Sequence, residues 1–186
     1  MTESALSALL EGCRQNREPA LKAFYEHFHG YALAVCLAYA ADRDEALEMM
    51  HDGFLKAFKH LPDLREEGAL KTWLRRILVN TAIDYHRRRT RRPVEPLNET
   101  ATERVPTDEA DALDQLSAED ILAALHRLPE LPRVVFGLYV LEGYSHREIA
   151  RQLGLAESTS RAYLSEANAR LRRLFSNRLS HDSTQR

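Results

Sequence analysis

The chain has 186 residues, 44% apolar and 29% charged, with 7 Gly, 7 Pro and a net charge of −2. That length allows one domain or two small ones with packed cores, and so little Gly and Pro disfavours a turn-rich β architecture. The longest run without a charged side chain, 27–41, is 15 residues, too short for a membrane span; no basic-then-apolar leader opens the chain, and Cys13 and Cys36 make neither a disulfide framework nor a four-ligand zinc site.

The expectation is an all-α, cytoplasmic protein with no membrane insertion, no metal and no cofactor. Residues 1–92 carry a net charge of +2, 93–120 one of −8, and 121–186 one of +4. Two mildly basic blocks flank an acidic segment, which suggests two modules that meet polyanions and a connector that does not. Segment 93–117 has three Pro, many acidic residues and no aromatic. It cannot bury enough surface to offset its chain entropy, so it reads as a flexible acidic linker. The boundaries expected are an N-terminal extension (1–19), a first domain (20–92), the linker (93–117), a second domain (118–176) and a C-terminal tail (177–186).

In the first block, Leu21, Phe24, Phe28, Tyr31, Val35 and Tyr39 recur at helical steps and predict a helix over 20–41. A second helix, 44–60, turns Leu47, Met50, Phe54, Ala57, Phe58 and Leu61 inward and Glu48, Asp52, Lys56 and Lys59 outward; Pro62 fits the stop. A third, 69–90, buries Leu70, Trp73, Leu74, Ile77, Leu78 and Ala82, with Trp73 expected in the core rather than as a stacking platform. Arg76, Asn80, Asp84 and Arg87 or Arg88 follow on its exposed face. A basic run at a helix C-terminus complements the macrodipole. Five arginines within 87–92 exceed that need, and Asn80 sits on the face they share. A phosphate backbone with a base nearby fits that pattern.

In the second block, Ser145 and Glu148 form an S-x-x-E capping box, Ile149 and Leu153 give an apolar face, Ala150 is small at a close crossing and Gly154 ends the helix. Glu157 or Ser158 is expected to cap the next helix, which runs to about Phe175 with Leu164, Ala167, Leu171 and Leu174 inward. The Ala150-to-Gly154 spacing is that of a DNA-reading helix-turn-helix. The first turns of its second helix would present Ser158, Thr159, Arg161, Ala162 and Ser165 to a major groove, with Arg170, Arg172 and Arg173 nearer phosphates.

The two blocks together resemble the extracytoplasmic-function (ECF) group of the sigma-70 family of RNA polymerase sigma factors. Glu45-Ala-Leu-Glu-Met-Met-His51-Asp52-Gly-Phe54-Leu-Lys-Ala-Phe58 is similar to the group's polymerase-binding helix, with Leu47 and His51 in place of the usual Glu and Gln. Lys71-Thr-Trp73-Leu-Arg-Arg-Ile77-Leu-Val-Asn80-Thr-Ala-Ile-Asp84-Tyr-His-Arg87-Arg88 is similar to its −10 reader. Leu128-Pro129, Val134-Val135-Phe136 and Glu142-Gly143-Tyr144-Ser145, followed by Glu148-Ile149-Ala150, match its −35 module. The second helix of that module departs from the usual pattern, with Ser160, Tyr163 and Glu166 where Val, Arg and Arg are common.

The resemblance implies a region 2-like helical bundle and a region 4-like helix-turn-helix. It implies docking on the β′ clamp helices of core RNA polymerase through Glu48, Asp52, Phe54 and Lys56. Contact with −10 promoter DNA would come through Arg76, Asn80, Asp84, Arg87, Arg88 and Arg91, with the flipped base accepted by the loop 61–70. Ser158, Thr159, Arg161, Ala162 and Ser165 would contact −35 DNA. It also implies an anti-sigma factor as a partner.

An enzyme is disfavoured: no HExxH, Gly-rich phosphate loop or GxSxG is present, and His27 and His29, two apart on a helix, do not face each other. A two-domain regulator that binds duplex DNA alone differs in not needing polymerase. A receiver-like first domain, as in a phosphorelay-type anti-anti-sigma mimic, has no α/β alternation to support it.

Overall fold

The computed structural model describes residues 2–64, 67–90 and 118–182, with side chains for 2, 4–64, 67–89 and 121–176. Every regular element among them is helical, and they divide into two compact units, Met1–His86 and Arg87–Arg186. The predicted linker 93–117 and Arg91 lie outside the described residues.

The first unit begins before the motif-bearing stretch. Helix α1, Glu3–Arg14, is capped by Thr2, whose hydroxyl accepts from the Ala5 amide, and it buries Leu10 and Cys13. The stretch set apart as an extension therefore carries a helix that contributes to the core. Helix α2, Glu18–Leu37, opens on Pro19, a residue whose fixed φ suits a first turn. It stops short of residue 41; Tyr39 is buried beyond its end, where its carbonyl accepts from His86 Nε2 at 3.2 Å. Helix α3, Arg43–His60, is capped by Asp42, which accepts from the Glu45 amide at 2.8 Å, while the Glu45 carboxylate accepts from the Ala41 amide.

These starts set the rotation of α3, which buries Met49, Met50, Phe54 and Ala57 and leaves Leu47 half-buried. Phe24 of α2 anchors an aromatic cluster, with ring centroids 4.7 Å from Phe28, 5.6 Å from Phe58 and 6.3 Å from Phe54. Helix α4, Leu70–Thr90, crosses α3 at Gly53, where an added Cβ would stand 2.6 Å from Leu78 Cδ2. Leu70, Leu74, Leu78 and Ala82 are buried as expected, and so are Val79, Thr81, Ile83 and His86. Trp73 and Ile77 are only half-buried. The buried sector of α4 is centred on Leu78 and Ala82, and helical steps of about 100° put Ile77 at its edge and Trp73 beyond it.

The second unit contains α5 (Ala118–His126), α6 (Glu130–Phe136), a π-helical turn (Gly137–Leu141), α7 (His146–Leu153) and α8 (Glu157–Asp182). Ala124, Leu125 and Leu128 pack with Ala167 and Leu171 of α8, flanked by Phe136, Leu174 and Phe175. Val134, Val135, Leu138, Ile149 and Leu153 are buried as well. Helix α8 continues beyond the expected end at Phe175 to Asp182.

Candidate functional site

Three helix faces carry the candidate residues. On α4, Arg76 and Asn80 are exposed, Asp84 is half-buried, and Arg87 and Arg88 are exposed near the C-terminal end. The stripe is cationic where the helix dipole is negative, which favours those arginines and leaves them on one side with Asn80. Trp73 belongs to this side. It lies seven residues before Asn80, two turns along one face, and its partial exposure corrects its expected place in the core. That i to i+7 spacing was legible; the apolar character of Trp masked it.

The outer face of α3 carries Glu48, His51, Asp52 and Leu55, all exposed. Phe54, assigned to this face from the motif, is 2% exposed and packs on Tyr25 with ring centroids 4.8 Å apart. It lies in the core of the first unit, beneath the exposed face of α3. Lys56 is also placed differently from the expectation: its ammonium donates to Asp84 Oδ2 at 2.9 Å, joining α3 to α4. The pair places a cation beside the one carboxylate on the α4 stripe. Leu55, 69% exposed, was missed; an apolar residue off the buried stripe was the available signal. Beside it, Tyr25 Oη lies 3.2 Å from His51 Nε2, so α2 supplies an aromatic rim to the α3 face.

The described residues of the loop 61–70 form two 3₁₀ turns, Leu61–Asp63 and Glu67–Ala69, with Leu61 and Leu64 buried. Helix α1 braces it. The Arg14 guanidinium donates to the Leu64 carbonyl at 3.4 Å and to Glu67 at 3.2 Å.

In the second unit the capping box forms as expected. The Ser145 amide donates to Glu148 Oε2 at 2.8 Å and the Glu148 amide to Ser145 Oγ at 3.3 Å. Gly154 takes the left-handed conformation, φ 72°, which a side chain would disfavour. Helix α8 begins one residue earlier than either predicted cap allows: the Ser160 amide donates to the Ala156 carbonyl, so Glu157 stands inside the first turn, where its charge complements the dipole. It pairs with Arg161 one turn on, as Glu166 does with Arg170. Of the expected base-reading residues, Ser158 and Arg161 are exposed and Thr159, Ala162 and Ser165 half-buried. Ser160, polar where an apolar residue was expected, is wholly buried and lies 3.0 Å from His146 Nδ1.

Among the described residues no helix is long and apolar enough to cross a membrane. The cysteine thiols are buried, and burial pushes Cys36 up to about 12, far from a reactive thiolate.

Residues 24–92 match the family described as Sigma-70 region 2, and 118–171 match Sigma-70, region 4. The ECF RNA polymerase sigma factor SigM of Mycobacterium tuberculosis is 36% identical over 134 residues, 72% of this chain; the match spans 64% of that relative's length. The ECF RNA polymerase sigma-E factor of Salmonella typhimurium is 30% identical over 64% of this chain and 68% of its own. That of Haemophilus influenzae is 28% identical over 86% of this chain and 89% of its own. A solved structure, the sigma factor RpoE of Bartonella quintana with the anti-sigma factor NepR, aligns over 83% of this chain and 98% of that one at 23% identity, with a TM-score of 0.45. With both regions matched in order, the α4 stripe falling in one and the capped helix-turn-helix in the other, the chain belongs to the ECF group of the sigma-70 family.

Proposed function

We propose that this chain binds core RNA polymerase and directs promoter-specific initiation, reading a −35 element as duplex and a −10 element as it opens. The observation that carries the reading is the pairing, in one chain, of a capped helix-turn-helix with a helix that aligns Trp73, Arg76, Asn80, Arg87 and Arg88 on one side. A duplex reader needs the first; strand separation needs the second. Extruding a base costs a few kcal/mol, which a half-exposed aromatic and cations along the displaced strand offset by stacking and phosphate contact. Asn80 supplies an amide for a base edge, and the loop 61–70, braced by Arg14, is the place for the extruded base.

Docking on the β′ clamp helices is assigned to Glu48, Asp52 and Leu55, with Tyr25 and His51 at the rim. Two carboxylates fix orientation and an exposed leucine supplies the buried apolar contact that interface cores use. The role is one of binding, exercised where polymerase and chromosome meet in the cytoplasm, and no catalytic step or cofactor is assigned to the chain. An anti-sigma factor covering these faces is part of the proposal.

Run-off transcription tests the reading. Purified chain with core polymerase should initiate from a subset of a promoter library, and neither component alone should do so. Failure on every template, or a duplex footprint by the chain without polymerase, overturns it; the second result would identify a polymerase-independent regulator.

A further inference from the structure

His146 is the first residue of α7, directly after the capping Ser145. Its imidazole is held on two sides. Tyr139 of the π-helical turn stacks on it at 4.6 Å with 21° between the planes, and Ser160 Oγ lies 3.0 Å from Nδ1. Ser160 stands in the first turn of α8, wholly buried. Successive helix residues are about 100° apart, so the direction in which Ser160 points decides which of its neighbours face outward. With Ser160 inward, Ser158 and Arg161 are exposed.

A buried hydroxyl needs a partner, and a hydrogen bond, unlike an apolar contact, is directional. An apolar pair at this crossing would tolerate a small roll of α8. The imidazole–hydroxyl pair does not, because rolling leaves a buried polar atom unsatisfied.

We propose that His146 is a positioning residue for DNA reading: through Ser160 it sets the rotation of α8, and so determines which first-turn side chains meet the −35 bases. The proposal rests on the promoter-recognition reading above. The charged and titratable groups that face the ring are Arg161 and Glu157 of α8 and Tyr139 of the π-helical turn. Burial, and then the Arg161 guanidinium, hold the imidazole below its ordinary pKa, with Glu157 opposing. The ring is therefore mostly neutral near neutral pH, and in the tautomer protonated on Nε2 its Nδ1 accepts the Ser160 hydroxyl proton. Protonation turns Nδ1 into a donor and forces that hydroxyl to turn away.

The test uses the full chain on core polymerase, with duplexes randomised upstream of a fixed −10 region, recovering and sequencing the bound DNA. At about pH 7.5 the unsubstituted chain enriches an upstream motif. His146→Phe, which orphans the buried Ser160 hydroxyl, reduces that enrichment about tenfold, and Ser160→Ala, which removes the same bond but leaves a half-buried imidazole, reduces it about threefold, while His146→Phe with Ser160→Val restores it to within about twofold by replacing both partners. As the pH is lowered through the imidazole's folded-state pKa, which lies below its ordinary value, the unsubstituted chain loses enrichment relative to the double variant. Circular dichroism establishes which variants fold; should His146→Phe not, Ser160→Ala carries the comparison. Full enrichment by a folded single variant, no recovery in the double variant, or the same pH response in both overturns the proposal. No upstream motif with the unsubstituted chain removes the promoter reading, and this proposal with it.

Discussion

The two units hold their functional faces by different means. In the second, the polar contacts that shape the helix-turn-helix are mostly local: Ser145 with Glu148, Glu157 with Arg161, and Glu166 with Arg170, each within one helical turn. In the first, local caps such as Asp42 with Glu45 are joined by long-range contacts. Lys56 reaches Asp84 on the neighbouring helix, Arg14 reaches Glu67 across the unit, and Phe54 orients its helix through an aromatic cluster. A helix-turn-helix is small enough for caps and turns to specify its crossing. A bundle that presents two faces must set both through its core.

The largest effect that would sharpen this contrast is at Phe54. Phe54→Ala should cost about 3–5 kcal/mol of first-unit stability, the range for truncating a buried aromatic, and lose polymerase binding only through unfolding. A melt unchanged within error, with binding lost, would return Phe54 to the interface. Next come the two faces themselves. Asp52→Arg should weaken assembly on core polymerase tenfold or more, about 1.4 kcal/mol, at unchanged melting temperature. Asn80→Ala should leave assembly intact and lower transcription from selected promoters. If Asn80→Ala released the chain from polymerase, the two faces would not be separate surfaces.

A smaller effect tests the link between helices. Lys56→Met exposes the Asp84 carboxylate on the cationic stripe and should lower promoter-complex affinity by less than about 1 kcal/mol, as expected of a half-exposed ion pair. Adding Asp84→Asn should recover it, with core binding unaffected in both. Loss of core binding by Lys56→Met would place the ammonium in the docking face after all.

The smallest effect lies in the second unit. Hydrogen bonds from the Ser145 side chain, then its backbone amide, hold the Glu148 carboxyl below its ordinary value of 4.5. The folded state thus favours the ionised form. The capping box contributes its stability above pH 4.5 and loses it as pH falls through the lower, folded-state pKa. Glu148→Gln should flatten the melting-temperature profile over that acidic interval; an unchanged slope would mean that the cap does not act through its charge.

Much of this was readable along the chain, for reasons that follow from the same contrast. Helical periodicity located α2, α3 and α4, and the S-x-x-E pair with Gly154 located the start of α7 and its left-handed end. These depend on neighbours three or four residues away, so a linear reading captures them. The paths of Lys56 and Trp73 do not. Lys56 had two helix faces within reach, and only the crossing of α3 over α4 at Gly53 determined that its ammonium meets Asp84. Trp73 is apolar by composition, yet the buried sector of α4 is centred on Leu78 and Ala82 and leaves it outside, on the side of Asn80.

Ser160 shows the limit most clearly. As a residue type it argued against an inward position, and no neighbour in sequence could rescue it; its partner, His146, lies on another helix. The sequence by itself determined an all-α chain, the capping box of α7 and its glycine turn, the cationic end of α4 and membership of the ECF group. The tertiary structure decided that α1 belongs to the first unit, that Phe54 is core and Lys56 a tie between helices, and that His146 satisfies a buried hydroxyl. The physical reason is range: caps and periodicity act within a turn or two, whereas burial and the pairing of long polar side chains depend on which surfaces the packed helices bring together.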